Sequence, residues 1–212
     1  DDLNDKPTSD VSSMVARYLN AARLGREALD ELYTGGLGED WVPNVCDECI
    51  FRNECHEAFG EVDGRGLYPF NETALLRTSR AVLDGDYLDP RAILGSVVKF
   101  TLEQHQVEIR EGRFPSLEYE AAFDNASHSQ RRLPAEVIYE LKRFPDPERR
   151  KVLLTIWADA PSVLQDLAPG IHQAFRIPLT GVSASEGGAA VIQHDAPPKS
   201  SGAAPAPDSQ DL

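Results

Sequence analysis

Cys46-Asp47-Glu48-Cys49-Ile50-Phe51-Arg52-Asn53-Glu54-Cys55-His56 gathers all three cysteines of a 212-residue chain into one short run. Turn-rich stretches bracket it, Gly35-Gly36-Leu37-Gly38 before and Gly60 to Gly66 after. A C-x2-C pair bends the backbone so that two thiolates face one point. The third thiolate and its neighbouring histidine return to that point after a five-residue loop. Such a set holds a soft divalent ion, Zn2+ in tetrahedral Cys3His coordination first. Cys46, Cys49 and Cys55 are therefore candidate ligands, and His56 is the nearest fourth. Adjacent side chains diverge, so His105 and His128 stay open for that fourth place. Two plainer readings compete. Free thiols pack like small apolar side chains, and a disulfide would leave one of three thiols over.

Working outward, the bulk properties bound the rest. The chain carries 35 acidic against 21 basic residues, a net charge of −14. That balance argues against direct nucleic-acid binding by this piece, because phosphate contacts need clustered Lys and Arg. No apolar run approaches the roughly 20 residues that span a bilayer, so no membrane partner is expected. The start shows no basic, apolar-cored leader. Unpaired thiols among many carboxylates suit a reducing cytoplasm. The chain opens with Asp1 inside a polar segment, so a piece of a longer protein is expected.

The periodicity is helical almost throughout. Ser9 or Asp10 can cap a first helix whose apolar face runs Val11, Met14, Val15, Tyr18, Leu19, Ala22, Leu29, Leu32 and Tyr33. Asn20, Arg23, Arg26, Glu27 and Asp30 fall mostly elsewhere, and Gly35-Gly36 ends the helix. Leu67, Tyr68 and Phe70 should pin the turn after the cysteine loop onto the core. Asn71 caps a helix with Leu75, Leu76, Ser79, Val82 and Leu83 inward, ending near Asp84-Gly85. Asp89-Pro90 starts another, an acidic cap followed by proline at the first helical position. Its inner stripe is Ile93, Leu94, Val97, Val98, Thr101 and Leu102. Arg91 sits at the positive end of that helix dipole, a small cost on a solvated surface. The placement also suits an arginine directed at an anion across a domain interface. Residues 112–132 read as loop with at most one turn near Tyr119–Phe123. Pro134 opens a short helix, Asp146-Pro147-Glu148 caps another with Val152, Leu153, Ile156 and Trp157 inward, and 161–167 and 171–175 form two further short turns. From about Gly181 the Ala/Gly/Pro/Ser composition predicts disorder. The expected fold is mainly α.

The order Cys-His-x-x-Phe-Gly (Cys55 to Gly60), Gly-Leu-Tyr-Pro-Phe-Asn (Gly66 to Asn71) and Asp-Pro-Arg-x-Ile-Leu (Asp89 to Leu94) resembles the C-terminal region of large AAA+/STAND-type P-loop ATPases. These are encoded in bacterial DNA-modification and anti-phage clusters, the DpdH-like proteins among them. The resemblance covers most of residues 10–178. It implies that 71–107 form the helical lid over a nucleotide and that Arg91 matches the sensor-2 arginine, whose fork reaches the γ-phosphate. It also implies ATP and Mg2+ held by an upstream nucleotide-binding core of the same polypeptide, with other defence-cluster proteins as partners. No G-x-x-x-x-G-K-S/T loop occurs in this chain, so it should not hydrolyse ATP by itself. The C-x2-C-x5-C spacing also resembles the cysteine triplet of AddB and CRISPR-associated RecB-like nucleases, which ligate a 4Fe-4S cluster. Those need a fourth cysteine that this chain lacks. A free-standing zinc-bound helical interaction module is the alternative. The expected plan is an N-terminal helix (1–34), a zinc-knuckle insertion (35–70), a lid-like helical segment (71–112), a C-terminal helical segment (113–180) and a disordered tail (181–212).

Overall fold

The computed structural model describes residues 6–33, 42–83, 89–124 and 131–182, with side chains from Val11 onward. It is mainly helical. α1 (Lys6–Leu24) and α2 (Arg26–Leu32) lead into a 3-10 turn (Val45–Glu48), α3 (Arg52–Phe59) and a hairpin of β1 (Glu61–Val62) and β2 (Arg65–Gly66). Next come α4 (Glu72–Val82), α5 (Pro90–Ile93), a π-helical turn (Leu94–Lys99), α6 (Phe100–Gln104), α7 (Gln106–Glu111) and α8 (Leu117–Ala122). α9 (Ala135–Leu141), α10 (Pro147–Trp157) and α11 (Pro169–Phe175) complete the described elements. Among the described residues no helix is long and apolar enough to cross a membrane.

Two helix starts follow the sequence closely. Asn71 Oδ1 accepts from the Ala74 N–H at 2.8 Å, and Asp89 Oδ1 accepts from the Arg91 N–H at 2.9 Å ahead of Pro90. Each satisfies an orphan amide of a first helical turn. The buried stripe of α4 holds Ala74, Leu75, Thr78 and Ala81; that of residues 90–104 holds Ile93, Val97, Val98 and Thr101. Thr101 Oγ1 donates to Val97 O at 2.7 Å within the widened π turn, keeping its hydroxyl satisfied inside.

Trp157 centres the core at 1% exposure. Its Nε1–H donates to Pro69 O at 3.0 Å, and its ring meets Phe114, Tyr119 and Phe175 at centroid distances of 5.6, 5.9 and 5.1 Å. The Phe114 and Phe175 rings meet it edge-on, a geometry that adds to plain area burial. Leu67 and Phe70 are buried in the same cluster, so the turn after the cysteine loop is pinned as its sequence suggested. A smaller cluster of Leu133, Val137, Leu141, Leu154, Ala160 and Leu164 lies between α9 and the far side of α10. α11 packs on α3 closely enough that a Cβ at Gly170 would meet the Ala58 Cβ at 2.7 Å.

Several expectations need correction. The first helix begins at Lys6, so Ser9 and Asp10 lie inside it rather than capping it. It breaks at Gly25 (φ 82), and α2 buries nothing, which leaves Leu32 and Tyr33 exposed. Asp146 occupies the N-cap position of α10 at φ 53, but its carboxylate makes no cap hydrogen bond and instead faces Arg149 at 3.6 Å. Residues 161–167 form a bend rather than a full turn, and the expected turn at 171–175 lies within the α11 helix. The hairpin was unforeseen. Its signal was Asp63-Gly64, whose positive φ angles of 52 and 74 suit the tight turn between antiparallel strands. The helix terminators Gly35-Gly36 and Asp84-Gly85, His128, and 183–212 of the expected tail lie outside the described residues.

Candidate metal centre

The cysteine loop is built from short-range bonds. Asn44 Oδ1 accepts from the Cys46 N–H at 3.1 Å to open the 3-10 turn, and the Cys49 N–H closes it on Cys46 O at 3.2 Å. The Arg52 N–H then bonds Cys49 O at 3.1 Å, turning the chain into α3, which carries Cys55 and His56. Beyond Gly60 the hairpin folds back. Gly66 in β2 becomes a floor under the donors: its N–H donates to Cys46 Sγ at 3.3 Å. A Cβ added there would stand 3.2 Å from His56 Nε2 and 3.5 Å from Cys55 Sγ. A side chain there would press on the His56 ring, which would have to give by a few tenths of an ångström.

α1 holds this assembly through two polar side chains. Asn20, at 1% exposure, donates from Nδ2 to Pro43 O at 2.9 Å and accepts from the Val45 N–H at 2.9 Å. Arg23 donates to Tyr68 O at 2.8 Å and lies 4.0 Å from Cys46 Sγ. Both were expected on the solvent face; Arg23 is indeed exposed, but Asn20 is buried, and the contacts of both with the loop were not foreseen. The signal was there, since 20 and 23 continue the buried Ala16 and Leu19 at helical spacing.

Cys46 is buried, Cys55 half-buried and Cys49 exposed, and all three thiols are free. Burial pushes the Cys55 thiol up, with the Cys46 and Cys49 thiols adding to it and the Arg23 guanidinium and a Tyr68 backbone hydrogen bond opposing it. Burial, Arg52 and Arg23 hold the His56 imidazole below its ordinary value against the pull of Glu61, so the ring is kept neutral. Neutral imidazole is the form that ligates metals. His56 Nε2 is buried and has no hydrogen-bond partner.

Among the described residues no group of three or more His, Cys, Asp or Glu side chains stands in position to hold a metal ion. Cys46, Cys55 and His56 each lie against Gly66, while Cys49 is exposed. The donor chemistry fits zinc: soft sulfurs, a partnerless ring nitrogen and an N–H···S bond of the kind that orients a ligating thiolate. His105, the other described candidate, belongs to the aromatic core. Its Nδ1 bonds Glu108 Oε2 at 2.8 Å, and its ring packs on Phe100, Phe114 and Tyr119. Arg91 lies exposed on the first turn of α5.

No protein-family model matches the chain, and no curated protein or solved structure is significantly similar to it.

Proposed function

We propose that this chain is a zinc-stapled helical region without catalysis of its own, working in the cytoplasm as the lid of a P-loop ATPase in bacterial DNA modification or phage defence. The observation that carries the zinc reading is the partnerless His56 Nε2 beside Cys55 over Gly66, with Cys46 bonded to the same glycine. Zinc, when bound, supplies folding energy to a loop with little core of its own. Loading requires the exposed Cys49 side chain to turn toward the other three donors. The lid reading rests on the motif resemblance together with the exposed Arg91, whose planar fork is free to meet a phosphate offered by an upstream core. A free-standing interaction module is the second reading, favoured by the chain's acidity, which suits a basic partner.

Purified protein should carry one zinc per chain, be colourless, and melt at a lower temperature after chelation. Cys46→Ser and Cys49→Ser should lose both the metal and the chelator effect. Metal-free protein with unchanged melting removes the staple, and brown protein replaces it with an iron-sulfur cluster. For the lid, Arg91→Ala in a longer parent should lower ATP turnover; unaltered turnover removes that role.

A further inference from the structure

The turn between the two halves of the cysteine loop exposes two large apolar side chains. Ile50 is 85% and Phe51 65% exposed. They are the two central residues of the turn closed by the Arg52 N–H on Cys49 O, so both project from its tip. Central turn positions ordinarily carry Gly, Asn, Asp, Ser or Pro, which supply the required φ or bond the local backbone. Isolated exposed apolar residues are unremarkable, but an adjacent isoleucine and phenylalanine on a braced turn form a protruding wedge. The brace is visible: Asn44 bonds Asp47 and Gly64, and Arg52 pairs with Asp47 at 3.2 Å. The surrounding charge is mostly acidic, with Arg52 paired to Asp47 and Arg23 of α1 turned toward Tyr68 O. Asp47, Glu48, Glu54, Glu57 and Glu61 are all exposed, and Arg52 is the one basic residue of that stretch.

We infer that Ile50 and Phe51 form a docking wedge that packs against apolar anchor side chains on a protein partner, anchors flanked by lysine or arginine. Charge complementarity selects this occupant. The acidic collar repels anionic lipid and nucleic acid, and it repels the same face of a second copy. The packed apolar anchors supply affinity, and the flanking charges supply partner choice. The inference stands on exposure, turn geometry and charge, independently of whether zinc is bound.

The test is a phage-displayed peptide selection on wild-type protein with counter-selection against Ile50→Ser/Phe51→Ser, followed by titration with synthetic copies of the selected peptides. Selected sequences should set an aliphatic or aromatic anchor among lysines and arginines. Their affinity should fall roughly tenfold or more for the double variant, as for loss of an anchor side chain, and should weaken with added salt. Glu48→Lys/Glu54→Lys should weaken binding while leaving the apolar pair in place. The melting temperature of each variant should match the wild type and so confirm that the fold is intact, since the Ile50 and Phe51 side chains are both exposed. Failure to select any peptide, acidic or uncharged peptides, or equal affinity for the double serine variant would each overturn the inference. So would wedge-dependent dimerisation in sedimentation, or wedge-dependent binding to vesicles of anionic or zwitterionic phospholipid.

Discussion

Around Trp157 the chain is held by ring edges and aliphatic surface, whereas residues 42–66 join that core through Ala58 and Phe59 and are otherwise held by directed polar contacts, several from α1. In the first region Phe114, Tyr119, Phe175 and Trp157 enclose one another, and removing any one leaves a void. In the second, Cys46, Ala58, Phe59 and Gly66 are the buried residues, and Asn20, Arg23 and Asn44 fix the loop by hydrogen bonds. The difference teaches where stability and function separate. A region with its own apolar core keeps its shape unaided; one held by polar clamps is shaped by whatever else binds there.

The largest expected effect tests the core. Trp157→Ala should cost about 3–5 kcal/mol, as large-to-small changes at buried aromatics do, and urea unfolding should report it over the whole molecule. A loss confined to the cysteine loop would break the contrast. Asn20→Ala should cost roughly 1–3 kcal/mol, because it removes both hydrogen bonds of a buried side chain, to the Val45 N–H and the Pro43 carbonyl. Hydrogen exchange should place its effect on 42–66 and leave the Trp157 core protected.

A gentler effect follows from acid. His172 Nδ1 donates to Ile177 O at 3.1 Å and its Nε2 accepts from the Leu167 N–H at 3.1 Å, which requires the neutral ring. Burial holds its pKa below the ordinary 6.5; Arg150 also lowers it, while the backbone bonds and Asp166, 3.7 Å from Nε2, oppose. The unfolded chain therefore takes up a proton near pH 6.5 while the folded one resists. Stability contributed by the neutral ring is present above that pH and lost as pH falls below it. Melting temperature should drop on acidification from pH 7 to 5, and His172→Asn should flatten part of that slope. An unchanged slope in the variant assigns the effect elsewhere, with His56 the other imidazole held low. The smallest effect belongs to Arg91→Ala, within about 0.5 kcal/mol because the side chain is exposed. A larger loss would make Arg91 a structural residue.

Much of the body was legible in advance. The α4 and α5 starts follow from Asn71 and Asp89-Pro90, and the inward stripes from apolar spacing. The cysteine loop was legible as a unit, but its supports were not. Asn20 reads as a surface residue until α1 is set against Pro43 and Val45. Gly66 reads as a loop glycine until His56 and Cys55 stand over it.

Composition and periodicity alone determined that this protein is mainly helical and that its three thiols share one neighbourhood, because both properties depend on residues close in sequence. Only the tertiary structure decided that His105 bonds Glu108 within the aromatic core while His56 stands beside the Cys55 thiol over Gly66. It alone turned two polar residues of α1 into the clamp on the cysteine loop. Those outcomes depend on which distant surfaces meet, and local spacing carries no record of that.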